Sequence, residues 1–285
     1  MNLKKFALTL AALALLLTGC SAAEKPRVQI KPTYSNLTEE SVRLDLDSLM
    51  NSAGIPGYSR RVFFDHVDQI NAVAGPERLT NGFTPVGEVL YDPYELQTDW
   101  ETAYPDFMGY NCRITAFSLY GSFLGFPQEP MILGEEMTMF DQLALESDPS
   151  AGIALEGFRA FYATVPTELK QDRDFQAGVW LDSWQDRGIA FPENDKVSLI
   201  SVVFHSDLDD PSTLFIGHTG LLFPTPDGEL WFLEKLSFQE PYQLVVFGNR
   251  QQLSSYLMEK YDVDENQPVA RPFILENDSL LQTAP

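Results

Sequence analysis

The chain has 285 residues, 44% of them hydrophobic and 12% aromatic, which is enough to bury a substantial core. Its 41 acidic residues outnumber 19 basic ones, for a formal net charge of −22. That balance excludes nucleic acid, which needs a basic face, and disfavours adhesion by charge to anionic lipid heads or wall polymers.

The first residues carry an address. Lys4 and Lys5 precede an apolar run over 6–17, and Leu17-Thr18-Gly19-Cys20 fits the box at which bacterial lipoproteins are cleaved. The run falls short of the ~20 apolar residues a membrane span requires, so 1–19 reads as a signal peptide. Diacylglycerol on Cys20 then anchors the chain to the membrane on its extracytoplasmic face, through a tether over 20–31. Cys112 is the one other cysteine. A lone thiol in an oxidising compartment calls for an explanation, as a sealed core residue or as a nucleophile.

No internal repeat or low-complexity segment is visible over 32–285, and a single domain is expected there. Thr38 caps a helix over 38–50, with Val42, Leu46, Leu49 and Met50 on one stripe. Gly54-Ile55-Pro56-Gly57 breaks it, and Ser59 caps a second helix with Phe63, His66, Val67, Ile70 and Val73 along its buried face. A histidine on such a stripe reads as a hydrogen-bonded core residue. Residues 82–110 read as irregular and end in an aromatic loop over 104–110. Asn111 caps a helix over 112–124, which puts Cys112 in its first turn. Helical pieces are expected over 138–146 and 172–186, with a strand over 158–165 between them. The period then changes to two, and 197–204, 214–223, 229–236 and 243–247 read as consecutive antiparallel strands. Asn249 caps a last helix that carries Leu253, Tyr256 and Leu257. Helices first and a strand meander afterwards give an α+β class, with an antiparallel sheet of about four to five strands.

A thiol at a helix N-terminus has its thiolate favoured by the helix dipole, and a nearby imidazole completes the activation. Of His66, His205 and His218, the last is best placed, because Gly217 and Gly220 leave room at its strand. With 224–228 as the connecting loop, His218 lies directly opposite Glu234, whose carboxylate can orient the ring. A tight Asp227-Gly228 turn would set it opposite Ser237 instead. Tyr110, Asn111 and Arg113 flank the thiol and are the candidate substrate-binding residues. His205-Ser206-Asp207-Leu208-Asp209-Asp210 lacks the spacing of a calcium loop, and no His-x-x-x-His pair is present, so neither a metal nor a cofactor is expected.

Cysteine at a helix start, histidine in Gly217-His218-Thr219-Gly220 and an acid on the next strand together resemble the papain-like fold, and within it the NlpC-type cell-wall peptidases and amidases. The resemblance implies Cys112 as nucleophile, His218 as general base and Glu234 as orienting residue, acting on an amide bond such as one in cell-wall peptide. The surroundings depart from that branch: Asn111-Cys112-Arg113-Ile114 stands where Asp-Cys-Ser-Gly is usual. The lipoprotein box, Tyr34-Ser35-Asn36-Leu37, Tyr110-Asn111-Cys112-Arg113 and Gly217-His218-Thr219-Gly220-Leu221-Leu222-Phe223 together resemble a Gram-positive lipoprotein family defined as a domain of unknown function. The competing expectation is a non-catalytic lipoprotein with the same fold and an inert Cys112, which binds a wall fragment, a peptide or a protein partner.

Overall fold

The computed structural model describes residues 31–283 apart from 88, 132–133, 135–137 and 265. The signal peptide, Cys20 and nearly all of the tether lie outside the described residues. The helices are α1 (Glu40–Ser52), α2 (Gly57–Ala74), α3 (Pro93–Ala103), α4 (Cys112–Tyr120), α5 (Met139–Ser147), α6 (Leu155–Tyr162), α7 (Arg173–Asp186) and α8 (Arg250–Tyr261). The strands are β1 (Thr33–Ser35), β2 (Thr84–Pro85), β3 (Val165–Pro166), β4 (Ser198–Ser206), β5 (Thr213–Pro224), β6 (Leu230–Lys235), β7 (Tyr242–Phe247), β8 (Phe273–Glu276) and β9 (Ser279–Leu280). Among the described residues they form one nine-stranded sheet in the order β2-β1-β7-β6-β5-β4-β8-β9, with β3 paired to β5 and every pairing antiparallel.

The α+β class holds, but the strand count exceeds the expected four to five. The strands that the period-two pattern locates are β4 to β7. The others run two to four residues, too few for alternation to be legible. The 158–165 segment is mostly helix: Phe158, Phe161 and Tyr162 are buried at helical spacing on α6, in an apolar run that reads equally well as a strand. Helix α3 lies inside the stretch read as irregular. Its signals are conventional: the Asp92 carboxylate accepts from the Tyr94 and Glu95 N–H groups, Pro93 opens the first turn, and Leu96 and Trp100 are buried one turn apart. Neither Thr38 nor Ser59 caps a helix. The Thr38 hydroxyl donates instead to the Thr80 carbonyl, and α2 begins at Gly57, directly after Pro56.

The two faces of the sheet are covered differently. Ile114, Phe117 and Tyr120 of α4 pack with Ile216, Leu221 and Leu233 on one face, in the larger core. On the other face, Leu253 and Leu257 of α8 pack with Leu222, Phe232 and Val245. Alternation along β6 therefore turns Glu234 towards α8 and Lys235 towards the larger core.

Strand β5 positions the site through two irregularities. Its register with β4 slips between Val202 and Val203, where His218 faces Val202, Ile216 faces Val203 and Gly217 is the extra residue. Along its other edge, β3 pairs with Thr213 and Leu214 while β6 pairs only from Gly220 onwards. Among the described residues no strand thus lies beside 215–219 on that edge. The gap opens between the α4 face and the α8 face.

The β5–β6 loop is 225–229, one residue later than expected, because Pro224 pairs with Leu230 as the last ladder position. Gly220, not His218, is opposite Glu234. The correction displaces the partner of His218 by two positions, and two is the strand period. His218 and Glu234 therefore remain on one face as diagonal neighbours, within reach of long side chains. Gly220 is required at this crossing: a Cβ there would stand 2.5 Å from the Leu233 carbonyl oxygen and 2.6 Å from the Phe232 ring. We expect Gly220→Ala to lower the unfolding free energy by about 1–3 kcal/mol in urea denaturation, through overpacking between β5 and β6. An unchanged midpoint would show that the crossing has slack.

Candidate active site

Cys112 is the first residue of α4, and the geometry of that turn is tightly determined. The Asn111 side-chain oxygen accepts from the Ile114 N–H at 3.0 Å, a standard cap. The Asn111 amide nitrogen donates to Asp141 Oδ1 at 2.6 Å. Arg113 grips the same carboxylate with two of its three guanidinium nitrogens, Nη2 to Oδ2 at 2.6 Å and Nε to Oδ1 at 3.2 Å. Its remaining arm reaches the Ile216 carbonyl at 3.3 Å, inside the gap beside β5. Asp141, fully buried on α5, thus holds both neighbours of the thiol and, through Arg113, docks α4 against β5.

Sequence reasoning passes over Asp141. It falls on the buried side of α5 with Ala144, while Met139, Phe140 and Leu143 are exposed, which inverts the usual amphipathic reading. The available signal is an acid at helical spacing from a small residue, and that is weak.

The structure brings Cys112, His218 and Glu234 together. His218 Nε2 meets Glu234 Oε2 at 2.7 Å, with both side chains sealed from solvent. Cys112 lies close enough to His218 for each group to shift the ionisation of the other. Tyr261, the last residue of α8, stacks on the imidazole with a centroid distance of 4.9 Å. Tyr256 donates its hydroxyl to Glu234 Oε1, and Lys260 Nζ lies 3.9 Å from the same oxygen. Sequence reasoning places Tyr256 on the last helix, with Leu253 and Leu257, but gives it no polar role. Nothing in the helical period reveals where a hydroxyl ends.

Electrostatics follow from these contacts. Burial pulls the His218 imidazole down, but the hydrogen bonds and charges of Cys112 and Glu234 outweigh it and raise the ring to about 9. Burial pushes the Cys112 thiol up, and the hydrogen bond and charge of His218, with the charge of Arg113, bring it below its ordinary value. Burial likewise raises Glu234, and Lys260, His218 and Tyr256 together reverse this and hold the carboxyl low. The shifts reinforce one another: a cationic imidazole favours the thiolate on one side and the carboxylate on the other.

The three side chains expected to bind substrate have partners within the chain. Tyr110 donates to the Asp148 carbonyl at 2.7 Å and packs on the His66 ring at 4.2 Å. Asn111 is the cap, and Arg113 is paired with Asp141. His66 is buried on α2, with its Nε2 3.3 Å from Ser150 Oγ. His205 accepts from the Ala270 N–H through Nδ1 and meets Ser212 through Nε2. Among the described residues no group of three His, Cys, Asp or Glu side chains is arranged to hold a metal ion.

Two outcomes follow. Asp141→Ala leaves the mostly buried Arg113 without its counter-charge and is expected to cost about 3–5 kcal/mol in chemical denaturation. A loss under about 1 kcal/mol would remove Asp141 from its organising role. By NMR titration, His218 is expected to stay protonated at pH 7.5 and to lose its proton near 9. Glu234→Gln removes the anion that stabilises the imidazolium, so the midpoint falls by about a unit or more. A wild-type midpoint at or below 6.5 would contradict the charged arrangement.

No curated protein and no solved structure matches the chain. A family described as a domain of unknown function, DUF4300, matches residues 33–281, and the chain belongs to that family.

Proposed function

We propose that this protein is a cysteine hydrolase or transferase of papain-like type that acts on an amide bond, tethered outside the membrane by lipid on Cys20. The observation that carries the reading is the contact chain from Cys112 through His218 to Glu234. A thiol at a helix start, a histidine on a strand packed beside that helix and an acid on the neighbouring strand supply nucleophile, base and orienting group. In the proposed step, Cys112 Sγ attacks the carbonyl carbon as the C–N bond weakens, and the imidazolium of His218 gives its proton to the departing amine. Water, deprotonated by His218, then attacks the thioester carbon, the C–S bond breaks, the acyl group leaves as the acid, and the thiolate and imidazolium are restored. Peptide in the cell wall is the substrate class that suits the proposed location. The backbone N–H of Cys112, one of the first four of its helix, is a candidate donor for the oxyanion.

One observation favours the competing reading of a binding protein with an inert thiol. Cys112 is 6% exposed and His218 1%. Attack on a substrate therefore needs local opening of the packing over the thiol, which a purely structural cysteine would not need.

Native-state alkylation separates the two. We expect iodoacetamide to modify Cys112 in the folded protein near pH 7, and His218→Ala to slow this by about tenfold or more, because an unassisted thiol near pKa 8.5 is mostly protonated there. Modification only after denaturation would overturn the enzyme reading. Against a panel of amide substrates, Cys112→Ala should abolish turnover, and His218→Ala should lower kcat/KM by roughly 10³-fold or more.

A further inference from the structure

Behind the three groups of the proposed reaction, the contacts continue into α8. Glu234 turns Oε2 to His218 and Oε1 to the Tyr256 hydroxyl. One helical turn later, Lys260 donates from Nζ to Tyr256 Oη at 3.0 Å, with its ammonium 4.9 Å from the Tyr256 ring centroid. Glu234 is fully buried, whereas Lys260 is 32% exposed. Lys260 opens into a surface groove of about 510 Å³ that Tyr34, Leu236 and Gln243 also line. This groove lies on the α8 face, and Cys112 enters from the α4 face.

We propose that Tyr256 and Lys260 are positioning residues for the triad, which hold Glu234 ionised and aimed at His218 and thereby sustain the thiolate–imidazolium pair from the opposite face of the sheet. The inference rests on the cysteine chemistry proposed above and deepens it. Its logic is charge neutrality in a site sealed from bulk solvent. Thiolate and imidazolium cancel, which leaves the carboxylate as an uncompensated buried anion. Lys260 restores balance, and the leading influence that lowers the Glu234 carboxyl is its charge. Tyr256 occupies the second carboxylate oxygen, so the group cannot rotate away from the imidazole.

The remaining charged groups nearby are committed elsewhere. Arg113 pairs with Asp141, and Lys235 on the far face donates to the Phe238 and Glu240 carbonyls. The Glu240 carboxylate accepts from Tyr91. Glu259 lines the groove beside Lys260, whose ion pair among the described residues is with Glu234. Tyr162 and Tyr261 are phenols that burial keeps protonated.

The test is the pH profile of Cys112 alkylation by iodoacetamide, measured from pH 4 to 10 on the whole protein as wild type, Tyr256→Phe, Lys260→Met and Lys260→Arg. Opening of the site scales a whole profile without moving its acid limb, so a purely structural role for α8 changes amplitude alone. With Glu234 less firmly ionised, the imidazolium is weaker and the thiol harder to deprotonate. The acid limb of Tyr256→Phe and Lys260→Met is therefore expected to move up by about one pH unit, which is roughly tenfold slower alkylation below the limb. Rates at pH 9.5 should match wild type, and Lys260→Arg should restore the original limb. Limbs that stay put in both variants, in a protein whose reactivity still depends on His218, overturn this inference alone. A wild type without His218-dependent reactivity removes the proposed function and this inference together.

Discussion

Glu234 is a carboxylate with no exposed surface, and the site is organised around satisfying it. An anion taken out of water costs several kcal/mol unless protein groups replace its hydration. Here His218 takes one oxygen, Tyr256 the other, and Lys260 supplies charge at 3.9 Å. His218 comes from β5 and both Tyr256 and Lys260 from α8, so β5, β6 and α8 must all be in register before the anion is tolerated. The demand for compensation also explains why His218 is held as a cation: neutral imidazole would leave the carboxylate worse paired, and a cation beside the thiol draws that group into ionisation.

The gap beside β5 makes this possible from both sides of a sheet. A continuous ladder would separate a helix on one face from a helix on the other. With residues 215–219 unpaired on one edge, Arg113 can reach the Ile216 carbonyl from α4, while His218 joins Glu234 on the α8 face. The bulge at Gly217 adds the local turn of the strand that brings the imidazole to this opening. A second buried carboxylate, Asp141, stabilises the opposite end by tying Asn111 and Arg113 around the thiol. Two satisfied buried acids thus bracket Cys112 and His218, in a chain whose many other acids are mostly solvated.

Much of this arrangement is legible in the amino-acid sequence. Asn111 as a cap and Cys112 in the first turn follow from side-chain chemistry within three residues, and local rules are reliable at that range. The meander of β4 to β7 follows from period-two patterning over strands of six to twelve residues. The pairing of His218 with Glu234 rests, on sequence grounds, on a loop placed one residue too early. It survives because that error shifts the partner by a full strand period. An error of the other parity would send the two side chains to opposite faces. Helix α3 and the helical nature of α6 escape sequence reasoning, because proline-rich or continuously apolar stretches mask the period.

The amino-acid sequence by itself determined the class of fold, the helix start that carries the thiol, and the identity of the three groups in the central row, because these depend on caps, periodicity and parity. Tertiary structure decided the rest: the gap in the sheet, the Asp141 clasp on α5, and the approach of Tyr256 and Lys260 to Glu234. Those contacts join segments separated by 22 to 103 residues. No local pattern encodes which buried hydroxyl or carboxylate meets which partner across such distances. That choice is made by packing, and by the cost of leaving a buried charge alone.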